Sequence, residues 1–260
     1  MLESTATTTK LVTKAIRHPL RAVRRLVETW QWAGLSETDE RDAAIAFLSD
    51  AFEIDARAIL EEHARSEFGS WMERRRGQLG GFRGPYRLAS TPSFDCETIY
   101  LLVRSMKPDV VVETGVCYGA SSAYILQALA ENRRGELYSI DLGNSSDEPP
   151  NDFFIPQHLT DRWRLIIGDS TQVLPQLLAR LERIDLFLHD SLHSYDHMMW
   201  EYNTAFPHLH AGGVLSSHDV RTIVDIRKPF QPNPFAVFCD QHRLRSVVSR
   251  NLGIAVRQPS

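Results

Sequence analysis

The feature that most constrains how this chain folds is a strand–turn–helix–strand pattern between residues 109 and 143. Its valine run, 110–112, has the length and β-branching of a strand that is buried on both faces of a parallel sheet. A turn with Gly115 and Gly119 follows, and Ser121 then opens an apolar helical pattern. A ligand bound by such a unit lies beside the N-terminus of the helix.

The spacing of the glycines indicates which ligand this turn can hold. Gly115 and Gly119 lack the close glycine pair that lets a backbone approach a pyrophosphate. Glu113, just before the turn, would repel phosphate but suits an ammonium group. Asp141 closes a second apolar run about twenty residues later, the spacing at which a carboxylate binds a ribose diol. S-Adenosylmethionine carries an ammonium, a ribose and an adenine but no phosphate, and it therefore fits the pattern.

Together these residues resemble a known family. The pattern ExGxxxG with a following serine, and then an acid at the end of the second strand, is similar to class I S-adenosylmethionine-dependent methyltransferases. A plain strand–helix–strand connection without a ligand is the alternative. The resemblance implies a cofactor site made of Glu113, Gly115, Tyr118, Gly119, Ser121, Asp141, Asp169, Ser170 and Asp190.

Asp169 and Ser170 follow a third apolar run, 164–167, and the resemblance assigns them to adenine contacts. Their alternative role is to cap the helix that begins after them, and both roles are compatible.

Metal-competent side chains follow the next two apolar runs. The run 184–188 is followed by Asp190, and the run that begins at Gly212 leads to His218 and Asp219. Because the carboxyl ends of parallel strands meet at one edge of a sheet, these side chains are expected to converge. Two carboxylates and an imidazole can form a divalent metal site.

The two segments IDLFLHDSLHSY and LHAGGVLSSHD resemble a particular methyltransferase branch. That branch contains O-methyltransferases of sugars and antibiotics, many of them magnesium-dependent, and is related to catechol and caffeoyl-CoA methyltransferases. The resemblance covers about residues 95 to 220 and implies that Asp190, His218 and Asp219 are the metal ligands. Magnesium or manganese is the expected ion.

The chain departs from the pattern of that branch at two positions. Leu192 stands where some members have an acid that acts as general base, and His193 is the predicted substitute because histidine exchanges protons near neutral pH. The predicted catalytic residues are therefore His193 and Asp190. A capping or packing role for His193 is the alternative. His218 replaces the first acid of a DD pair, and imidazole suits manganese, iron, cobalt or zinc better than magnesium.

Composition and element order predict one large α/β core. The chain has 260 residues, of which 43% are hydrophobic and 24% charged, as in ordinary globular proteins. We expect a Rossmann-like, doubly wound, mostly parallel seven-stranded sheet with an antiparallel last strand, preceded by N-terminal helices. Residues 1–94 would form a helical extension with a substrate-side loop, and residues 95–260 the methyltransferase domain.

Charge and cysteine content exclude some partners and sites. A net charge of −4 argues against a nucleic-acid partner. The three cysteines are widely spaced without a CxxC motif, which indicates neither a disulfide framework nor a cysteine zinc site. A reducing, cytoplasmic environment is the expectation.

A basic amphipathic segment lies near the N-terminus. Residues 10–25 contain six Lys or Arg and no acid, with apolar residues at near-helical spacing. It lacks the unbroken apolar core of a secretory signal or membrane span. The segment could contact an anionic membrane surface, form an arm in a homodimer, or pack on its own domain.

Two loops contain candidate substrate residues. Phe82, Arg83, Tyr86 and Arg87 lie in a Gly- and Pro-rich segment before the core and could close over cofactor or substrate, although an ordinary connecting loop is the alternative. Arg221, Arg227 and Lys228 follow the metal pair and could bind an acidic or polyhydroxyl acceptor, or be solvated loop charges.

The leading functional hypothesis is an S-adenosylmethionine-dependent O-methyltransferase for a small polar acceptor. Sugars or glycosylated natural products come before catechols because no aromatic clamp is evident near the site. The alternatives are a non-haem metal oxygenase, a metal-independent small-molecule methyltransferase, and a non-catalytic scaffold that binds membranes through the basic segment.

Overall fold

The fold is organised around one seven-stranded sheet. The computed structural model describes residues 36–79, 93–221 and 232–258. The strands follow the order β3-β2-β1-β4-β5-β7-β6, in which β1 to β5 are parallel and β7 is antiparallel to both β5 and β6. Their bounds are β1 Val110–Thr114, β2 Glu136–Asp141, β3 Trp163–Ile167, β4 Ile184–His189, β5 Leu209–Ser217, β6 Arg245–Ser249 and β7 Leu252–Val256. The predicted fold class is confirmed.

Helices cover both faces of the sheet. Within the described residues they are α1 Glu37–Phe52, α2 Ala56–Ala64, α3 Glu67–Gln78, α4 Ser93–Met106, α5 Ala120–Asn132, α6 Ser170–Leu181, α7 Tyr195–Ala205 and α8 Pro234–Gln241. Val111 belongs to a buried cluster with residues of α1 to α5, whereas Val112 belongs to a second cluster with residues of α6 to α8. Alternate residues of β1 thus enter cores on opposite faces, as expected for a continuous apolar run.

The N-terminal helices share a core with the sheet-covering helices. Ser36 caps α1 by accepting from Asp39 N, and Asp55 caps α2 by accepting from Ala58 N. Ile45 and Leu48 of α1 are buried in the cluster that contains α4 and α5.

Several predicted boundaries differ from the structure. The helix predicted to run to residue 208 ends at Ala205, and a 3₁₀ turn, Phe206–His208, follows where Pro207 cannot donate a helical hydrogen bond. The last hairpin turns at residues 250 and 251, so Leu252, expected in the turn, already pairs with Ser249.

The loop after β2 is fixed to the N-terminal helices. We predicted residues 143–156 to form a loop or lid above the strand ends. In the structure, Trp71 Nε1 donates to Phe154 O at 3.0 Å and Arg75 Nε donates to Phe153 O at 2.7 Å. Both phenylalanines are buried. Residues 143–156 thus form a loop without regular secondary structure, as predicted, and this part of the loop is packed against α3.

The basic segment 10–25 and the loop candidates Phe82, Arg83, Tyr86, Arg87, Arg227 and Lys228 lie outside the described residues. Among the residues that are described, no helix combines the length and apolar character needed to cross a membrane.

A buried carboxylate holds the turn between β1 and α5. Glu113 is fully buried, and its oxygens accept from Ser121 Oγ at 2.6 Å, Ser122 Oγ at 2.6 Å and Ser139 Oγ at 2.9 Å. Burial raises the pKa of Glu113 to about 7, although the three hydroxyl donors oppose the rise. The carboxylate thus ties the start of α5 to β1 and β2.

Gly115 is required where the turn after β1 passes the end of β4. Its φ is +84°, and an added Cβ would lie 2.2 Å from Asp190 O. We expect Gly115→Ala to lower the free energy of unfolding by about 2 kcal/mol or more, because a left-handed alanine is strained and the backbone must also move apart. Urea denaturation measures this.

Gly77→Ala is the matched control for that substitution. Gly77 lies in α3 with nothing within 4 Å of an added Cβ. This variant should be neutral or more stable by up to about 1 kcal/mol, because alanine favours the helix. Equal effects of the two substitutions would contradict the close approach at Gly115.

The raised pKa of Glu113 predicts a pH-dependent stability. Glu113 has the ordinary glutamate pKa of about 4.3 in the unfolded chain and a pKa of about 7 in the folded protein. At pH values between these two, the folded state binds more protons than the unfolded state. Stability is therefore highest below this window and falls as pH rises through it. Across this window the free energy of unfolding of the wild type should fall by about 3 kcal/mol, and we expect Glu113→Gln to remove this fall.

Urea denaturation across this pH range measures how much Glu113 contributes to the pH dependence of stability. The proteins to compare are the wild type, Glu113→Gln and the exposed-site control Glu61→Gln. Parallel stability curves for wild type and Glu113→Gln would show that Glu113 does not titrate in this window. Glu61→Gln should follow the wild type, because Glu61 is exposed.

Candidate active site

Residues that follow the parallel strands are held in place by their neighbours. Gly115 N donates to Ile140 O at 2.8 Å, Gly168 N to Asp141 O at 2.8 Å, and Asp190 N to Thr114 O at 2.8 Å. His218 N likewise donates to His189 O at 2.9 Å. The backbone hydrogen bonds that pair neighbouring strands therefore continue past the strand ends, into the turns that carry the candidate site residues.

Asp141 occupies the position expected for a ribose-binding carboxylate. It ends β2 and is half-buried. Its Oδ2 accepts from Val116 N at 2.7 Å and Cys117 N at 3.1 Å, and its Oδ1 accepts from Gly143 N at 2.7 Å. The carboxylate thus faces the glycine turn and organises it.

Two exposed apolar side chains beside Asp141 were missed by the sequence analysis. Leu142 is 76% exposed and Ile167, at the end of β3, is 57% exposed. Ile167 pairs with Asp141 in the sheet, and its Cγ2 lies 3.4 Å from the position of a Cβ on Gly143. Large apolar side chains at neighbouring strand ends form a surface on which a planar base can lie. The sequence offered one signal for this surface, which is that an apolar residue, Leu142, directly follows Asp141 at the end of the strand.

Asp169 and Ser170 lie at the start of α6. Asp169 caps the helix, its Oδ1 accepting from Thr171 N at 2.8 Å, so the capping role is confirmed. Ser170 Oγ lies 3.3 Å from His197 Nε2. Their predicted contact with adenine remains a prediction.

Three predicted cofactor residues are enclosed in the protein. Glu113 is bound by serine hydroxyls, Ser121 is one of these donors, and Tyr118 is 2% exposed within the hydrophobic core. These buried side chains build the turn, and their predicted place in the cofactor site stays a prediction. Gly119 has φ +80°, and a Cβ there would lie 2.4 Å from Asn151 O.

Four side chains meet at the carboxyl ends of β4 and β5. His218 Nδ1 lies 3.1 Å from Asp190 Oδ1 and 3.8 Å from Asp219 Oδ1. His193 Nε2 lies 3.5 Å from Asp190 Oδ1 and 3.6 Å from Asp219 Oδ2. The structure thus brings the three predicted metal ligands and the predicted base together. We call these four residues the acid–imidazole cluster.

The acid–imidazole cluster fits a divalent cation. One ligand atom each from Asp190, His193 and His218 lie within 4.8 Å of one another. Within the described chain, the buried Nε2 of His193 has no hydrogen-bond partner. A cation would accept electron pairs from both imidazoles and balance the carboxylates, which is a donor set that transition metals use.

The charges in the cluster shift each other's ionisation. Burial opposes the charged form of His218, but Asp190, Asp95 and Asp219 outweigh it and raise its pKa well above the ordinary value. Burial also opposes ionisation of Asp190, yet His218 and His193 lower its pKa. A proton and a cation would therefore compete for His218.

Asp95 contacts the acid–imidazole cluster from the side of α4. It lies within the first turn of this helix, which begins at Ser93. It is 1% exposed, and its Oδ2 lies 3.2 Å from His218 Nε2. An isolated acid 123 residues away from its partner gives no local sequence signal of this contact.

A buried network supports the strand ends from the side of α7. Glu201 Oε2 accepts from Thr114 Oγ1 at 2.6 Å and lies 2.6 Å from His189 Nδ1. Its Oε1 accepts from Ser191 Oγ at 2.9 Å and lies 2.9 Å from His197 Nε2. Burial opposes ionisation of Glu201, but both histidines lower its pKa. Glu201 therefore joins β1, β4 and α7, a role not anticipated from sequence.

Arg221 is engaged by the N-terminal helices. Its Nη1 is paired with Glu40 Oε1 of α1, and Glu40 Oε2 accepts from Arg250 N at 3.0 Å. Its guanidinium therefore contributes to an internal ion pair, and binding of an acceptor by Arg221 stays a prediction.

Comparison with known proteins gives a family match over the central part of the chain. A family model described as a methyltransferase domain matches residues 112–220. This range contains the glycine turn, Asp141 and the acid–imidazole cluster. A search of curated proteins found no match.

Solved structures show the same fold at low sequence identity. The S-adenosylmethionine complex of the O-methyltransferase TomG from Streptomyces achromogenes, involved in tomaymycin synthesis, is 15% identical with a TM-score of 0.55, over 71% of this chain and 90% of that chain. The S-adenosylhomocysteine-bound methyltransferase PaMTH1 from Podospora anserina is 14% identical with a TM-score of 0.54, over 73% and 88%.

The methyltransferase MycE from the mycinamycin biosynthetic pathway, in complex with Mg and S-adenosylhomocysteine, is 15% identical with a TM-score of 0.50, over 74% of this chain and 55% of that chain. These likenesses establish the fold. The domain match covers residues 112–220, less than half of the chain, and over that range the chain is similar to methyltransferase domains.

Proposed function

We propose that the chain transfers a methyl group to a hydroxyl of a small polar acceptor, a sugar or glycosylated natural product, with the help of a divalent cation. The observation that supports this most is that two half-sites lie close together: a cofactor half-site around Asp141 and an acceptor half-site formed by the acid–imidazole cluster. Asp141, Leu142 and Ile167 offer carboxylate and apolar surface for an adenosine, while the acid–imidazole cluster begins at Asp190. The backbone of Asp190 lies directly against the glycine turn at Gly115.

Each half-site has a defined task in this proposal. S-Adenosylmethionine would be held by Asp141 through its ribose and would supply an activated methyl group. A divalent cation, held by Asp190, His218 and Asp219, would lower the pKa of an acceptor hydroxyl.

The chain's own residues then carry out positioning and proton transfer. His193 Nε2, which lies 3.5 Å from Asp190 Oδ1, accepts the hydroxyl proton as general base. Asp190 orients this imidazole and fixes the acceptor oxygen on the side of the glycine turn. Positioning of this kind contributes most of the acceleration, because the sulfonium already activates its methyl group.

The acceptor class follows from the polar character of the cluster. Carboxylates and imidazoles can bind several hydroxyls of one acceptor, which suits a polyhydroxyl compound better than an apolar one. The names of two structural neighbours, which place TomG in tomaymycin synthesis and MycE in the mycinamycin pathway, are consistent with a natural-product acceptor.

An iron oxygenase is the second candidate, because Asp190, His193 and His218 supply two imidazoles and one carboxylate. The match to a methyltransferase domain favours the transferase. Iron content and oxygen consumption of the purified protein separate the two. A metal-independent methyltransferase would transfer methyl groups at an unchanged rate in chelator. Membrane or homodimer contact through residues 10–25 remains a prediction, as does the cytoplasmic location.

Asp141→Asn tests the cofactor half-site. We expect S-adenosylhomocysteine to bind the wild-type protein and to bind this variant at least about tenfold more weakly, because hydrogen bonds to a charged carboxylate are lost. Isothermal titration calorimetry measures both affinities. Asp161→Asn, at an exposed position, is the control and should bind like wild type. Absence of binding to the wild type would overturn the proposed function.

His193→Gln tests the proposed base. Methyl transfer from labelled S-adenosylmethionine to a panel of sugars and glycosides should fall by about 100-fold or more, while affinity for S-adenosylhomocysteine stays unchanged. His208→Gln is the matched control, since His208 is half-buried just before the amino end of β5, the end opposite the acid–imidazole cluster. Undiminished transfer by His193→Gln would assign the base to another group.

A further inference from the structure

Both ring nitrogens of His218 face carboxylates from different elements. Nε2 lies 3.2 Å from Asp95 Oδ2 on α4, and Nδ1 lies 3.1 Å from Asp190 Oδ1 after β4. The His218 side chain is 8% exposed and that of Asp95 is 2% exposed. The imidazole is thus fixed in orientation by a contact that bridges α4 and the end of β5.

The contact with Asp95 decides which nitrogen of His218 can bind a cation. An ionised carboxylate only accepts hydrogen bonds, so Asp95 favours a proton on Nε2, as Asp190 does on Nδ1. Nδ1 also faces Asp219, so a cation between the two proposed carboxylate ligands would displace the proton from Nδ1. Asp95 would keep the proton on Nε2.

We propose that Asp95 is a positioning residue that commits His218 to bind a cation through Nδ1, and that the site thereby selects a first-row transition metal over magnesium. This inference rests on the proposed function, since it concerns the cation of the same site. Carboxylates that accept from the second nitrogen of a metal-bound histidine fix its tautomer and raise its basicity.

The composition of the acid–imidazole cluster determines the kind of metal. Magnesium prefers an octahedral shell of oxygens, whereas imidazole suits manganese, iron, cobalt and zinc. The proposed ligands Asp190, His218 and Asp219 bring one imidazole to two carboxylates. Of the two ions expected from the sequence, manganese therefore suits this arrangement better than magnesium.

Metal titrations of the full chain test the proposal without relying on activity. Calorimetry with Mn²⁺ and with Mg²⁺, and the visible absorption of added Co²⁺, report binding and imidazole coordination directly. We expect the wild type to bind Mn²⁺ more tightly than Mg²⁺. Asp95→Asn should weaken Mn²⁺ binding about 10- to 100-fold and alter the Co²⁺ spectrum, because an amide no longer enforces the proton on Nε2.

Two further variants make the test independent of the stability of Asp95→Asn. His218→Asp replaces the imidazole by a carboxylate and should shift the preference from Mn²⁺ toward Mg²⁺. Asp185→Asn removes the acid of another, half-buried Asp–His pair, in which Asp185 lies 2.7 Å from His210 at the amino ends of the strands. This variant should leave metal binding unchanged.

Equal affinity of the wild type for Mn²⁺ and Mg²⁺, no metal binding, or an unchanged Mn²⁺ affinity in folded Asp95→Asn would each overturn the proposal. A titration with S-adenosylhomocysteine in chelator distinguishes this failure from failure of the proposed function. Binding of that ligand without any metal binding would leave the methyltransferase proposal intact and remove the inference about Asp95.

Discussion

The close passage of the turn after β1 against the end of β4 is the contact on which the site depends. Gly115 has no side chain, and Asp190 O would lie only 2.2 Å from an added Cβ. Parallel pairing of β1 with both β2 and β4 requires this approach, because the ladder continues from Thr114 O to Asp190 N. As a result, the glycine turn lies directly beside the acid–imidazole cluster, and movement of either would change the distance between the proposed cofactor and acceptor sites.

Around that contact the protein buries an unusual amount of charge, and each carboxylate has its own donors. Glu113 is surrounded by serine hydroxyls on one face of β1, and Glu201 is bound by Thr114 and two histidines on the other. Asp95 approaches His218 from α4. Buried carboxylates are costly unless they are paired, so these networks restrict how the strand ends can be arranged. The rigidity needed to orient His218 and Asp190 comes from these paired groups.

Much of the fold could be predicted because its signals are local. Apolar runs predicted the parallel strands, and the residues after them, Asp141, Asp190 and His218, lie at one edge of the sheet as expected from parallel topology. Contacts between distant residues were not anticipated. Asp95 meets His218 although the two lie 123 residues apart in the chain.

The sequence by itself determined the element order, the strand ends and the types of chemical group available there, because periodicity, glycine spacing and strand-ending acids act within a few residues. Only the tertiary structure decided which of these groups face the crevice and which support it. That choice depends on distances between elements far apart in the chain: α4 brings Asp95 to His218, and α1 brings Glu40 to Arg221. No local pattern encodes those distances, because they arise only when helices from separate parts of the chain pack on a common sheet.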